Sequence, residues 1–136
     1  MGLTLTSLDT AFPDPDDATI ARVLKSLDGG RDVLATLGHS EQTYVQASGS
    51  VGDGFTLDWQ QGSLDRHRRC PVVLPLDRVT EFFQRYARGD ETWTRDLTWE
   101  DVPWAPTRIP WYSTWVGYVV ILVLLAALLW WWRGSP

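Results

Sequence analysis

Between Pro110 and Arg133 the chain carries no charged residue. Within that stretch Val116 to Leu129 reads VGYVVILVLLAALL, and Trp130, Trp131 and Trp132 follow at once. Trp115 to Trp132 as a helix is about 27 Å long at ~1.5 Å per residue, close to a hydrocarbon core of about 30 Å. Ten of the residues from Val116 to Leu129 are Val, Ile or Leu. At roughly -0.3 to -0.6 kcal/mol each, they favour membrane insertion by about 3–6 kcal/mol. Indole and phenol rings prefer the headgroup level, where the ring is half buried and the polar tip finds a partner. Trp111, Tyr112 and Trp115 supply such rings at one end and the tryptophan triplet supplies them at the other. A buried core helix of a soluble protein does not account for three consecutive terminal tryptophans. Residues 111–132 are therefore read as a single transmembrane helix, with Trp111, Tyr112, Trp115, Trp130, Trp131 and Trp132 at its interfaces.

The span ends four residues before Pro136, and residues 1–20 contain no basic, apolar leader but do contain Asp9, Asp14, Asp16 and Asp17. The expected layout is tail-anchored. A domain of residues 1–102 stays on the cytoplasmic side, a Pro-rich stalk covers 103–110, and the short tail 133–136 crosses. Arg108 and Arg133 lie on opposite flanks, so the positive-inside rule decides little. A single cysteine agrees with a reducing compartment. Eleven arginines against one lysine suggest a GC-rich bacterial genome, which makes the bacterial inner (cytoplasmic) membrane the expected location.

The remaining residues suffice for one domain. A net charge of -5, from 17 acids and 12 bases, argues against a nucleic-acid binder that relies on a basic field. One cysteine excludes an intramolecular disulfide framework and a multi-cysteine zinc site.

Alternation predicts a strand over Leu3–Leu8, broken by Pro13 and Pro15. Ile20, Val23, Leu24 and Leu27 follow helical spacing, with Asp16, Asp17 or Thr19 as the cap and Gly29-Gly30 as the stop. Strands are predicted over 31–37, 43–47, 54–60 and 68–74, with SGSVGDG as a loop between the third and fourth predicted strands of the domain. A second helix, capped by Asp77, carries Val79, Phe82, Phe83 and Tyr86 on one stripe and ends at Gly89-Asp90. Trp93, Trp99 and Trp104 then fold back to close the core. The expected fold is α+β: an antiparallel sheet of about four to five strands with two helices on one face.

Motifs for chemistry are sparse. His39-Ser40-Glu41 sits in a predicted hairpin tip, where solvation is its ordinary role. His67 and Cys70 offer two metal ligands where zinc needs three or four. As a nucleophile and base they would lie on opposite faces of a strand. SGSVGDG lacks the Gly-Lys-Ser/Thr ending of a phosphate loop. Asp53 and Asp58 read as isolated surface carboxylates. No cofactor and no metal is expected. The one dense charge cluster is Asp65, Arg66, His67, Arg68 and Arg69. Three arginines in four residues suit a phosphate, an anionic headgroup or an acidic partner. The plainer role is a solvated arm that discourages edge-to-edge pairing.

Several stretches together resemble a family. Thr43-Tyr44-Val45-Gln46-Ala47 is followed by Gly54-Phe55-Thr56-Leu57-Asp58-Trp59, then by Gly62 through His67. Val79 through Asp90 and the later Trp93 and Trp99-Glu100 complete the set. The combination resembles the small α+β immunity-type proteins of bacterial polymorphic-toxin systems, over roughly residues 20–101. That resemblance implies a non-catalytic domain that binds and neutralises a cognate toxin. The added membrane span departs from it, and suits a toxin that acts at or enters through the inner membrane. The expected partners are the lipid bilayer and a protein, either a toxin or a membrane-complex subunit; the alternative reading makes this chain itself an accessory or structural subunit of a membrane complex, held by its single span. Residues 65–69 are the candidate binding residues.

Overall fold

The computed structural model describes residues 2–103. The predicted span, its six interfacial aromatics and Trp104 lie outside the described residues. Among the described residues no helix is long and apolar enough to cross a membrane.

The domain is α+β, with one seven-stranded antiparallel sheet and two helices. In chain order the elements are β1 (Thr4–Ser7), β2 (Thr10–Pro13), α1 (Asp17–Ser26), β3 (Leu34–Ser40), β4 (Thr43–Ser50), β5 (Gly54–Gln61), β6 (His67–Arg69), α2 (Leu76–Ala87) and β7 (Glu100–Asp101). The sheet order is β2-β1-β3-β4-β5-β6-β7. Seven strands replace the expected four to five. The two additions, β2 and β7, are short edge strands.

The β1–β2 hairpin turns at Leu8-Asp9, with Ser7 opposite Thr10. Leu8 takes a φ of 50°, a conformation that glycine or asparagine adopts at lower cost. The turn therefore lacks the Asn-Gly, Asp-Gly or Gly-X pair that marks a tight hairpin in sequence. Pro13 is tolerated because β2 is an edge strand and Pro13 is its last residue.

Strand alternation separates two faces. Leu5, Leu37 and Val45 stand in register on the apolar face, fully buried, with Trp59 next in the row. The helices add Ile20, Val23, Leu24, Val79, Phe82 and Phe83 to the same core. The opposite face is polar: Thr6, Thr36, Gln46, Asp58, Arg69 and Glu100 form one row across six strands. Beside it Tyr44 lies over Gly38, where an added Cβ would come within 2.7 Å of the tyrosine Cβ. The glycine makes room for the ring, and the ring covers the glycine.

Boundaries moved for local reasons. The Asp28 carboxylate accepts from the Gly30 and Asp32 amides, so the chain stays coiled through residue 32 and β3 begins three residues later than expected. The glycine-rich loop contracts to a turn at 51–53. β4 runs on through Ser50, and Gly49 sits at φ 137° opposite Phe55. The predicted strand 68–74 survives as β6 and a bridge in which Leu74 and Phe55 exchange two hydrogen bonds of 2.8 Å. Pro71, between them, has no N–H to donate to a ladder. Asp77 does not cap α2; Pro75 holds the N-cap position, and Asp77 lies in the first turn, where a carboxylate is favoured. Asp16 does cap α1, accepting from the Thr19 amide at 2.8 Å.

Candidate functional site

The charged run at 65–69 does not form one patch. Asp65 and Arg66 lie exposed in a 3-10 turn, Leu64–Arg66, and the next three residues enter β6. Alternation then sends Arg68 and Arg69 to opposite faces of the sheet. Arg69 donates to both oxygens of Asp58, at 2.7 and 3.0 Å. Asp58 is only 3 % exposed, so the expected surface carboxylate is a buried one satisfied by a bidentate partner. That hydrogen bonding holds the Arg69 guanidinium above its ordinary pKa.

His67 shares this polar face. Its Nε2 is buried, lies 4.0 Å from Asp58 Oδ1 and makes no hydrogen bond among the described residues. Tyr44 donates from its hydroxyl to Gln60 at 3.0 Å, and its phenol is pushed up, first by burial and then by the Asp58 charge. Cys70 is buried in the core and its thiol faces the Val72 carbonyl. Asp53 accepts from the Ser50 hydroxyl. Among the described residues no three His, Cys, Asp or Glu side chains are grouped to hold a metal ion.

Arg68 turns to the apolar side. It pairs with Asp101 of β7 at 3.2 Å, and its guanidinium carbon lies 5.7 Å from the Trp59 ring centroid. Arg66, Arg68, Trp59 and Gln61 line one open cleft of about 240 Å³. Two of the three arginines thus converge on a tryptophan, while the third is committed to Asp58.

Trp59 also borders a second cavity, of about 120 Å³, at the C-terminal end of α2. His39, Tyr86 and Trp93 line it, with Asp90 and Glu91 among its other walls. The rings form a continuous cluster. Trp93 contacts Trp59 at 5.8 Å, Trp99 at 5.6 Å, Phe82 at 5.9 Å and Tyr86 at 6.3 Å between centroids. His39 closes the end, 5.9 Å from Tyr86. Burial pushes the Tyr86 phenol up to about 12, and its hydroxyl donates to the Thr43 carbonyl at 3.3 Å.

The sequence pattern identified Trp59, Trp93 and Tyr86 as core residues and His39 as a hairpin tip. It did not join them into one cavity. The available signal was the helical spacing of Phe82 and Tyr86 followed closely by Trp93. The segment after α2 forms a 3-10 helix, Glu91–Asp96, that folds Trp93 back beneath Trp59.

Arg85 ties this helix down. It donates to Asp90 at 2.8 Å, Asp96 at 2.6 Å and the Thr92 hydroxyl at 2.8 Å. The Thr92 hydroxyl and Arg85 together hold Asp90 at about 2, well under the usual carboxylate value. A carboxylate whose pKa falls on folding contributes stability that is complete above its unfolded value, near 4, and is lost as pH falls through about 2. Asp90→Asn should therefore lower the urea midpoint at pH 6 and make its decline between pH 4 and pH 2 shallower. Asp16 and Asp28, also lowered by hydrogen bonds, keep part of that decline in the variant. An unchanged slope would show that Asp90 is not a main source of acid sensitivity.

No protein-family model, no curated protein and no solved structure matches this chain.

Proposed function

We propose that this chain is a membrane-anchored, non-catalytic binding protein whose 2–103 domain docks a protein partner through the Trp59–Arg66–Arg68 cleft. The observation that carries the reading is the convergence of two arginines on a half-buried tryptophan beside β6. Tryptophan and arginine are the side chains most often found at energetic centres of protein interfaces. Arg66 has no ion-pair partner among the described residues, so its charge is available to an acidic group. Anchoring comes from the uncharged stretch between Pro110 and Arg133. Holding the domain at the bilayer raises its local concentration toward any partner there. Immunity to a toxin is the most concrete form of this function, and its support is the motif resemblance over residues 20–101.

The experiment is co-purification from membranes with the full-length chain in three forms. The native form should stay in the pellet on carbonate extraction and bring down its partner. Arg66→Glu/Arg68→Glu should stay in the pellet and lose the partner. A form with residues 115–132 exchanged for an unrelated apolar span should keep it. The reverse pattern, loss on the exchange and retention on charge reversal, would make the chain a complex subunit held by its helix. Release of the native form by carbonate would remove the anchor.

A further inference from the structure

The cavity beside α2 combines three features. Four rings stand among its walls: Trp59, Tyr86, Trp93 and His39. Its volume, about 120 Å³, is a little under the ~150 Å³ cavity that takes benzene and far under the ~300–1,000 Å³ of a drug-sized pocket, so the guest is a small group. Its α2 end offers an unpaired negative charge. Arg85 is divided between Asp90 and Asp96, and Glu91 stands exposed at the cavity with no ion pair among the described residues.

Each feature narrows the guest. An anion is repelled by the carboxylates. A primary ammonium is compact and strongly hydrated, so entering a small cavity with several ring walls costs it its water. A weakly hydrated cation with no N–H gives up much less. Such a cation is held by the negative faces of aromatic rings, most strongly by tryptophan.

We propose that this cavity is a binding site for a methylated ammonium group of the choline type. Trp59, Tyr86 and Trp93 supply the aromatic walls, and Glu91 supplies the field that favours positive charge. The site is separate from the arginine cleft, although Trp59 and Gln61 border both, and it does not depend on the partner-binding proposal. The same group occurs free and as a lipid headgroup, and the test distinguishes the two.

The full-length chain, with its indole nitrogens labelled, is placed in nanodiscs of phosphatidylglycerol and observed by NMR. Millimolar choline should shift the Trp59 and Trp93 indole resonances saturably. The neutral isostere 3,3-dimethylbutan-1-ol, with carbon in place of the charged nitrogen, should bind at least about tenfold more weakly. If nanodiscs of phosphatidylcholine give the shift without added choline, the lipid headgroup is the guest. If they do not, and free choline still acts, the guest is a free molecule. Trp59→Leu should weaken choline binding about tenfold or more. Glu91→Gln, an exposed substitution that leaves the fold alone, should weaken it about threefold and covers the case in which Trp59→Leu does not fold. The proposal fails if choline gives no shift, if the neutral isostere binds as well, or if Glu91→Gln binds choline unchanged.

Discussion

Trp93→Ala is expected to cost about 3–5 kcal/mol of domain stability, the range for truncating a fully buried large aromatic. Trp93 is 1 % exposed and touches four other rings, from β5, α2 and the segment leading to β7. Each such ring pair adds about 0.5–1.5 kcal/mol beyond buried area, so removal loses packing on several sides at once. No neighbour can fill the space without leaving its own contacts. Small domains hold only about 5–15 kcal/mol in total. At roughly 4–8 °C per kcal/mol, the midpoint should fall by at least about 12 °C. Near-ultraviolet circular dichroism, recorded as the full chain is heated in non-ionic detergent, measures it. A loss under about 1 kcal/mol would mean that the aromatic cluster does not hold α2 to the sheet.

Gly49→Ala should be comparably damaging for a different reason. The φ of 137° is one that a Cβ strongly disfavours, and the added methyl would run into the Gly54 carbonyl oxygen on the facing strand. That oxygen is backbone in the β4–β5 ladder, so it moves only if the ladder opens. Strain of about 1–3 kcal/mol and a clash of similar size, about 1–3 kcal/mol, together give about 2–6 kcal/mol. Gly62→Ala is the control. Its φ is 78°, yet nothing lies within 4 Å of the added Cβ, so only the conformational cost remains, about 1–2 kcal/mol. Urea titration of the two variants should separate them by about 2 kcal/mol. Equal midpoints would show that the close approach of β4 and β5 is relaxed in solution.

What the sequence disclosed depends on how each feature is encoded. Ile20, Val23 and Leu24, and Val79, Phe82 and Phe83, repeat at helical spacing and gave both helices. Phe55, Leu57 and Trp59 alternate and gave β5 and its buried side. β2 and β7 escaped because they are four and two residues long, too short for a period, and β7 is held by pairing with a strand distant in sequence. The burial of Asp58 was equally hidden. Its partner Arg69 lies eleven residues away, and only the β5–β6 register brings them together. A charge cluster read along the chain suggested one patch, whereas strand alternation divides it between two faces. The cavity near α2 was illegible for a related reason, since its walls come from β3, β4, β5, α2 and the segment after α2.

The order of strands in the sheet also bears on how the chain reaches this structure. β1–β2, β3–β4, β4–β5 and β5–β6 are sequence neighbours, and such hairpins close over short loops on the microsecond scale. Two pairings are not local: β1 with β3, across α1, and β6 with β7, across α2. Closing each long loop costs entropy before its contacts repay it. Each closure also carries a helix, so the strand joins the sheet as the helix docks on the core. The slow events of folding are therefore the same two events that bury the helices. Substitutions inside the β3–β6 meander should chiefly change the folding rate, and those in β2 or β7 the unfolding rate.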